Sequence, residues 1–125
     1  MGYYSTLSFE GKAEKINKEA LENLNKMLQE DKFQGFGDMA VKFDNEGNLE
    51  IESSEYCAKF YDNEKFAKEL AKVIEKGYAI LKFTGEDGEV WGYFIKNGSF
   101  EYAEGILLPK RIIESLNLSN LYSCK

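Results

Sequence analysis

The chain has no histidine, one proline, two cysteines and one tryptophan. Each scarcity removes a class of chemistry. Without histidine there is no Ser-His-Asp triad, no His-ligated metal and no imidazole pH switch. Cys57 and Cys124 stand 67 residues apart in no metal-binding spacing, and a zinc site would need two further ligands. A disulfide between them is possible but unsupported, and the expectation is two reduced thiols of a cytoplasmic protein. Of 16 basic residues only Arg111 is an arginine. Specific nucleic-acid readers rely on arginine for bidentate base and phosphate contacts. The net charge of −6 would in addition repel a phosphate backbone, so no direct nucleic-acid ligand is expected. No apolar run approaches the ~20 residues of a membrane span. Residues 1–6 lack the basic-then-apolar pattern of a signal peptide.

What is present is a globular composition. Hydrophobic residues make up 43% and aromatics 14% of 125 residues, enough for one core, and the whole chain, 1–125, is expected to form one domain. Residues 3–14 alternate with the two-residue period of a strand. Asn17 is placed to cap a helix whose apolar stripe is Ala20, Leu21, Leu24, Met27 and Leu28. Met39, Val41 and Phe43, then the turn residues Asn45-Glu46-Gly47-Asn48, then Leu49 and Ile51 predict a hairpin. Asp62 should open a second helix carrying Phe66, Ala67, Leu70, Val73 and Ile74, with Gly77 just past its end.

Three strands should follow: Tyr78–Thr84, Glu89–Lys96 and Ser99–Ala103. Asn97-Gly98 is the strongest short hairpin signal in the chain. Pro109 can open a short C-terminal helix with Ile112, Ile113 and Leu116 on its inner side. The predicted fold class is α+β, β-α-β-β-α-β-β-β, with an antiparallel-rich sheet, both long helices on one face and a short C-terminal helix. The first six elements resemble the order of a ferredoxin-like fold.

A two-residue turn at Asn97-Gly98 pairs Lys96 with Ser99, Ile95 with Phe100, Tyr93 with Tyr102 and Trp91 with Glu104. An even-length turn at 85–88 would then place Tyr78, Ile80, Lys82 and Thr84 on the face of Trp91, Tyr93, Ile95, Phe100, Tyr102 and Glu104. The other face, with Ala79, Leu81, Phe83, Val90, Gly92, Phe94, Glu101 and Ala103, suits packing under helices. Tyr and Trp rings carry polar atoms that need partners and are enriched in recognition surfaces. Trp91, Tyr93, Phe100 and Tyr102 are therefore the candidate partner-binding patch, with Lys82 and Glu104 at its rim. The competing reading is that this face is simply core, under the helices or under the C-terminal tail.

No catalytic constellation stands out. Glu50 and Glu52 are expected on the solvated side of the first hairpin, and Glu86, Asp87 and Glu89 at a turn without apolar walls. Cys57 has only lysine nearby as an activating group, a weak basis for a nucleophile. Gly35-Phe36-Gly37 follows a helix and lacks the context of a phosphate-binding loop. No stretch matches the signature of RNA-recognition domains. No cofactor and no metal are expected.

By elimination the leading class is binding to another protein. In size, acidity and lack of catalytic residues the chain is similar to phage-borne inhibitors of host defence, including anti-CRISPR proteins, and to toxin-immunity proteins. That resemblance implies steric occlusion of a nucleic-acid-acting protein and carries over no residue. The expected partner has a basic surface, met by the acidic turns Asp44, Glu46 and Glu86, Asp87, Glu89, with aromatic anchors supplying affinity. The alternatives are a small enzyme or ligand-binding domain with a Tyr/Glu-lined pocket, and a module that forms a homodimer through its aromatic face.

Overall fold

A computed structural model describes residues 3–104. The expected C-terminal helix lies outside them. The fold is α+β, and the described residues form nine elements in the order β1 (Ser5–Ile16), α1 (Lys18–Gln29), β2 (Ala40–Phe43), β3 (Leu49–Glu52), β4 (Cys57–Ala58), α2 (Asn63–Val73), β5 (Ile74–Gly85), β6 (Val90–Lys96) and β7 (Ser99–Glu104). Five of the described strands form an antiparallel sheet in the order β4-β1-β5-β6-β7, and β2 pairs with β3 in a two-stranded sheet. Two features depart from the expected order. The short strand β4 is additional, and the β2–β3 hairpin forms a sheet of its own, joined to β1 by a bridge between Lys12 and Asn48.

Local chemistry accounts for the elements. Asn17 Oδ1 accepts from the Ala20 N–H at 3.0 Å and caps α1, whose Leu24 and Leu28 are buried. At the start of α2, Asp62 makes no such cap; its carboxylate instead accepts the Gln34 N–H at 2.7 Å and ties in the 33–38 loop. Gly77 does not end α2, which stops at Val73 and runs directly into β5. Gly77 lies within β5 with φ of +135° beside Ala13, at the edge of a register irregularity. A side chain there would meet the Lys12 carbonyl, so the glycine serves the strand rather than a helix end.

Asn97 and Gly98 both have positive φ, as a two-residue hairpin turn requires, and β6 and β7 pair as Lys96–Ser99, Ile95–Phe100, Tyr93–Tyr102 and Trp91–Glu104. The β5–β6 turn is different. Gly85 N–H donates to the Glu89 carbonyl at 2.7 Å, leaving three residues in the loop, and the ladder pairs Thr84 with Val90 and Phe83 with Trp91. An odd loop in place of the expected even one moves the whole of β5 by one side of the pleat. Leu7, Phe9, Ala79, Leu81, Phe83, Trp91, Tyr93, Ile95, Phe100 and Tyr102 thus share one face, and Thr6, Ser8, Glu10, Tyr78, Ile80, Lys82, Phe94 and Ala103 the other.

The core sits on the first face. Leu24 and Leu28 of α1, Phe66, Ala67, Leu70 and Ala71 of α2, and Val41, Leu49 and Ile51 of the small hairpin join Leu7, Ala79, Leu81, Phe83, Tyr93 and Ile95 in one apolar cluster. Phe33, Phe36 and Phe60 close it from the loops, with Phe36 stacked on Phe66 at 4.8 Å between ring centroids. Each large side chain withdrawn from water here contributes roughly 1.5–3 kcal/mol.

Candidate functional site

The three-residue loop Glu86-Asp87-Gly88 projects from one end of the main sheet, and the N-terminal residues fold against it. Glu86 N–H donates to the Tyr4 carbonyl at 3.0 Å. The Tyr3 ring lies against Gly85, where any side chain would overlap it. The Tyr3 hydroxyl donates to an Asp87 carboxylate oxygen. Tyr3 N–H donates to the Tyr61 hydroxyl at 3.1 Å, and its ring stands 6.2 Å from Trp91. Trp91 stacks on Phe83 at 5.7 Å with the planes 14° apart.

Beneath this cluster Asn63, the first residue of α2, is the anchor. Its Oδ1 accepts the Trp91 indole N–H at 3.3 Å and also the Tyr93 hydroxyl. Tyr93 is buried and belongs to the core, and Phe100 packs beside it at 6.2 Å. These two are the floor of the patch and not its contact surface. Toward the β7 edge, Tyr102 lies 5.5 Å from Tyr93 and donates to Glu104 at 2.8 Å. Tyr61 and Tyr102 are 47% and 49% exposed, the two most exposed large apolar side chains described.

The electrostatics are one-sided. The Tyr3 hydroxyl is pushed up to about 12, first by its hydrogen bond to Asp87, with Glu89 and Glu86 adding to the effect. Tyr102 is pushed up to about 12 by desolvation and then by Glu104 and Glu89. Burial pushes Tyr93 up as well, with Glu64 adding to it. Asp87 lies below the usual carboxylate range because it accepts from Tyr3 and from the Glu89 N–H. The ion pairs found among the described residues, Lys15–Glu75, Lys42–Glu52 and Lys72–Glu69, involve none of Glu86, Asp87, Glu89 or Glu104.

The structure therefore assembles Trp91, Tyr102, Glu104, Glu86, Asp87 and Glu89 at one end of the sheet, over Tyr93 and Phe100. Lys82 is a correction: it lies on the opposite face, buried to 6% exposure, because the odd turn reverses the side of β5. Desolvation there holds its ammonium below the usual lysine range. Asp44 and Glu46 are a second correction. Their turn sits at the other end of β1, where the Gly47 carbonyl accepts from Ala13 N–H at 2.8 Å. The ladder runs from Ala13–Gly77 to Ser5–Gly85, eight residues or roughly 27 Å. Asp44 is engaged in its own turn, accepting from the Glu46 and Asn48 N–H groups at 2.9 and 2.8 Å.

Tyr3, Tyr61 and Asn63 complete the site and were not read as functional from the sequence. The Tyr3-Tyr4 doublet registered only as strand alternation, and Asn63 was hidden behind Asp62 as a helix start. Cys57 is also a correction: it is disulfide-bonded, not a reduced thiol. Sequence separation says nothing about distance in the fold, and the second cysteine of the chain lies outside the described residues.

Among the described residues no group of three or more acids or cysteines is arranged to hold a metal ion, and no helix is long and apolar enough to cross a membrane. A groove of 320 Å³ is lined by Phe94, Lys96, Asn97, Ser99 and Glu101, and a cleft of 110 Å³ lies between the 35–38 loop and residues 53–60. Neither includes the exposed tyrosines. No protein family matches the chain, and no curated protein and no solved structure is significantly similar to it.

Proposed function

We propose that the protein is a binding module that docks on a basic surface of another protein through Tyr3, Tyr61, Trp91 and Tyr102, set among Glu86, Asp87, Glu89 and Glu104. The observation that carries this reading is that half-exposed Tyr102 donates to Glu104, and half-exposed Tyr61 is linked through Tyr3 to Asp87, two carboxylates in none of the ion pairs found among the described residues. Aromatic rings that are already ordered lose little entropy on binding and make good anchors. Unneutralised acids steer a basic partner to them. A basic cleft is what nucleic-acid-acting proteins present, so occlusion of such a cleft is the mode of action we favour. The cytoplasm is the expected compartment; the disulfide at Cys57 argues instead for a more oxidising one.

The test is site-directed photo-crosslinking in the native host, with the crosslinker at position 61 or 102 and, as control, at position 46. The reading expects one basic protein captured from 61 and 102 and not from 46. The same capture from all three positions, or a captured protein without a basic surface, rejects it. Self-association is the second reading, favoured by β7, which among the described strands pairs only with β6. A solution mass twice that of the chain at micromolar concentration would favour it.

A further inference from the structure

The two edge strands of the main sheet are built differently. β4 is two residues long, and such a short strand offers little to pair with. β7, at the other edge, is six residues long and pairs with β6 in unbroken register from Lys96–Ser99 to Trp91–Glu104. It contains no lysine, no proline and no bulge, devices that commonly blunt an edge. Among the described strands none pairs with its outer side.

The backbone groups on that side follow from the ladder. In antiparallel sheets the residues of a strand bond alternately to its two neighbours. Asn97 N–H donates to the Gly77 carbonyl at 3.0 Å, so Asn97 bonds toward β5 and Lys96 toward β7. The two-residue turn closes on Lys96 and Ser99, and Ser99, Glu101 and Ala103 bond to β6. The N–H and C=O groups of Phe100, Tyr102 and Glu104 therefore point outward. These residues carry their side chains on the face of Trp91, so the edge is continuous with the aromatic end. Tyr102 is 49% exposed there, and its hydroxyl donates to Glu104.

The charge on β7 has one sign. Glu104 stands on one face and Glu101, opposite Phe94, on the other; both are exposed, and neither is in an ion pair found among the described residues. On the Glu101 face a groove of 320 Å³ lies among Phe94, Lys96 and Ser99, room for a long side chain. A second copy of the chain suits this edge poorly. It too carries a charge of −6, and pairing β7 with β7 would gather the Glu101 and Glu104 carboxylates of both copies along one seam.

We propose that β7 takes an extended, lysine- or arginine-bearing segment of the partner as an added strand, held by the outward backbone groups of Phe100, Tyr102 and Glu104 and by the carboxylates of Glu101 and Glu104. Side chains of such a segment alternate between the faces, so cations on it reach both carboxylates. This rests on the reading of the aromatic end as a docking surface for a basic protein, and names the part of that protein it holds.

The test is residue-resolved amide hydrogen exchange on the full-length protein, alone and with the peptide Lys-Lys-Val-Val-Lys-Lys-Val. Alone, the Ser99, Glu101 and Ala103 amides should exchange slowly and those of Phe100, Tyr102 and Glu104 fast. Peptide at about ten times its dissociation constant should slow the second set about tenfold. The same peptide N-methylated at every residue should slow none of them. Glu101→Lys with Glu104→Lys should weaken the peptide at least about tenfold. No slowing at millimolar peptide, or equal slowing by the N-methylated peptide, would overturn the added strand. Protection of Phe100, Tyr102 and Glu104 in the protein alone would overturn it too, a doubled solution mass then assigning the edge to a second copy. The partner reading survives these failures if crosslinkers at positions 61 and 102, and not at 46, still capture a basic protein.

Discussion

The molecule has two acidic hairpin turns of similar composition and opposite use. In the turn at 44–48, Asp44 spends its carboxylate on the Glu46 and Asn48 N–H groups and on the Asn48 side chain at 3.0 Å. In the turn at 86–88, Asp87 accepts from one backbone N–H of its own turn but also from Tyr3, which connects it to Tyr61 and Trp91. Both aspartates are held below the usual carboxylate range, the first by its own turn, the second chiefly by an aromatic neighbour. A depressed carboxylate is thus no mark of function. What distinguishes a candidate site is which groups the acid organises, and of these two turns the second organises aromatic side chains, Tyr3 and through it Tyr61 and Trp91.

The largest effect should come from cutting the floor of the second region. Asn63→Ala removes the acceptor shared by Trp91 and buried Tyr93, and should cost about 2–3 kcal/mol in urea unfolding. A loss below about 0.5 kcal/mol would mean the aromatic end does not depend on that anchor. Next, Tyr61→Ala with Tyr102→Ala should weaken the captured partner about tenfold or more while leaving the urea midpoint nearly unchanged. A variant pair that unfolds the protein and leaves affinity intact would reverse the assignment. Asp44→Asn should lower the melting temperature by a few degrees without touching binding, since it loosens only its own turn.

The smallest effect lies at alkaline pH. Tyr3 and Tyr102 are raised to about 12 in the folded chain, against about 10 when unfolded. Protonation is thereby linked to folding: the contribution is whole below pH 10 and is lost as pH rises through about 12. Absorbance titration should show these tyrosines ionising late, and Asp87→Asn should return Tyr3 toward 10. A Tyr3 titration unchanged in that variant would show that the hydrogen bond to Asp87 is not the cause.

Periodic features were legible from the sequence, parity was not. The α1 stripe, the Asn17 cap and the pairing of β6 with β7 follow from spacing and from Asn97-Gly98, because each depends on a few adjacent residues. The face of β5 depended on whether the 85–89 turn closes over an even or odd number of residues, and Gly85-Glu86-Asp87-Gly88 fits either. That single step moved Lys82 out of the site. Strand β4, two residues long, has no pattern to read. Tyr61 and Asn63 meet Tyr3 and Trp91 only through tertiary packing. Trp91, Tyr102 and the acids of the site could be named in advance, then, but Tyr3, Tyr61 and Asn63 could not.

The comparison of the two turns is tested most directly by association rates with the captured partner, measured at low and high salt. Two full-length variants serve: Asp87→Asn/Glu89→Gln/Glu104→Gln at one end and Asp44→Asn/Glu46→Gln at the other. We expect the first to associate about tenfold more slowly at low salt and to lose most of its salt dependence, while the second retains wild-type rates and salt dependence. Equal slowing by both variants would mean that net charge alone steers the protein, and would contradict a binding surface at the Tyr3–Asp87 end.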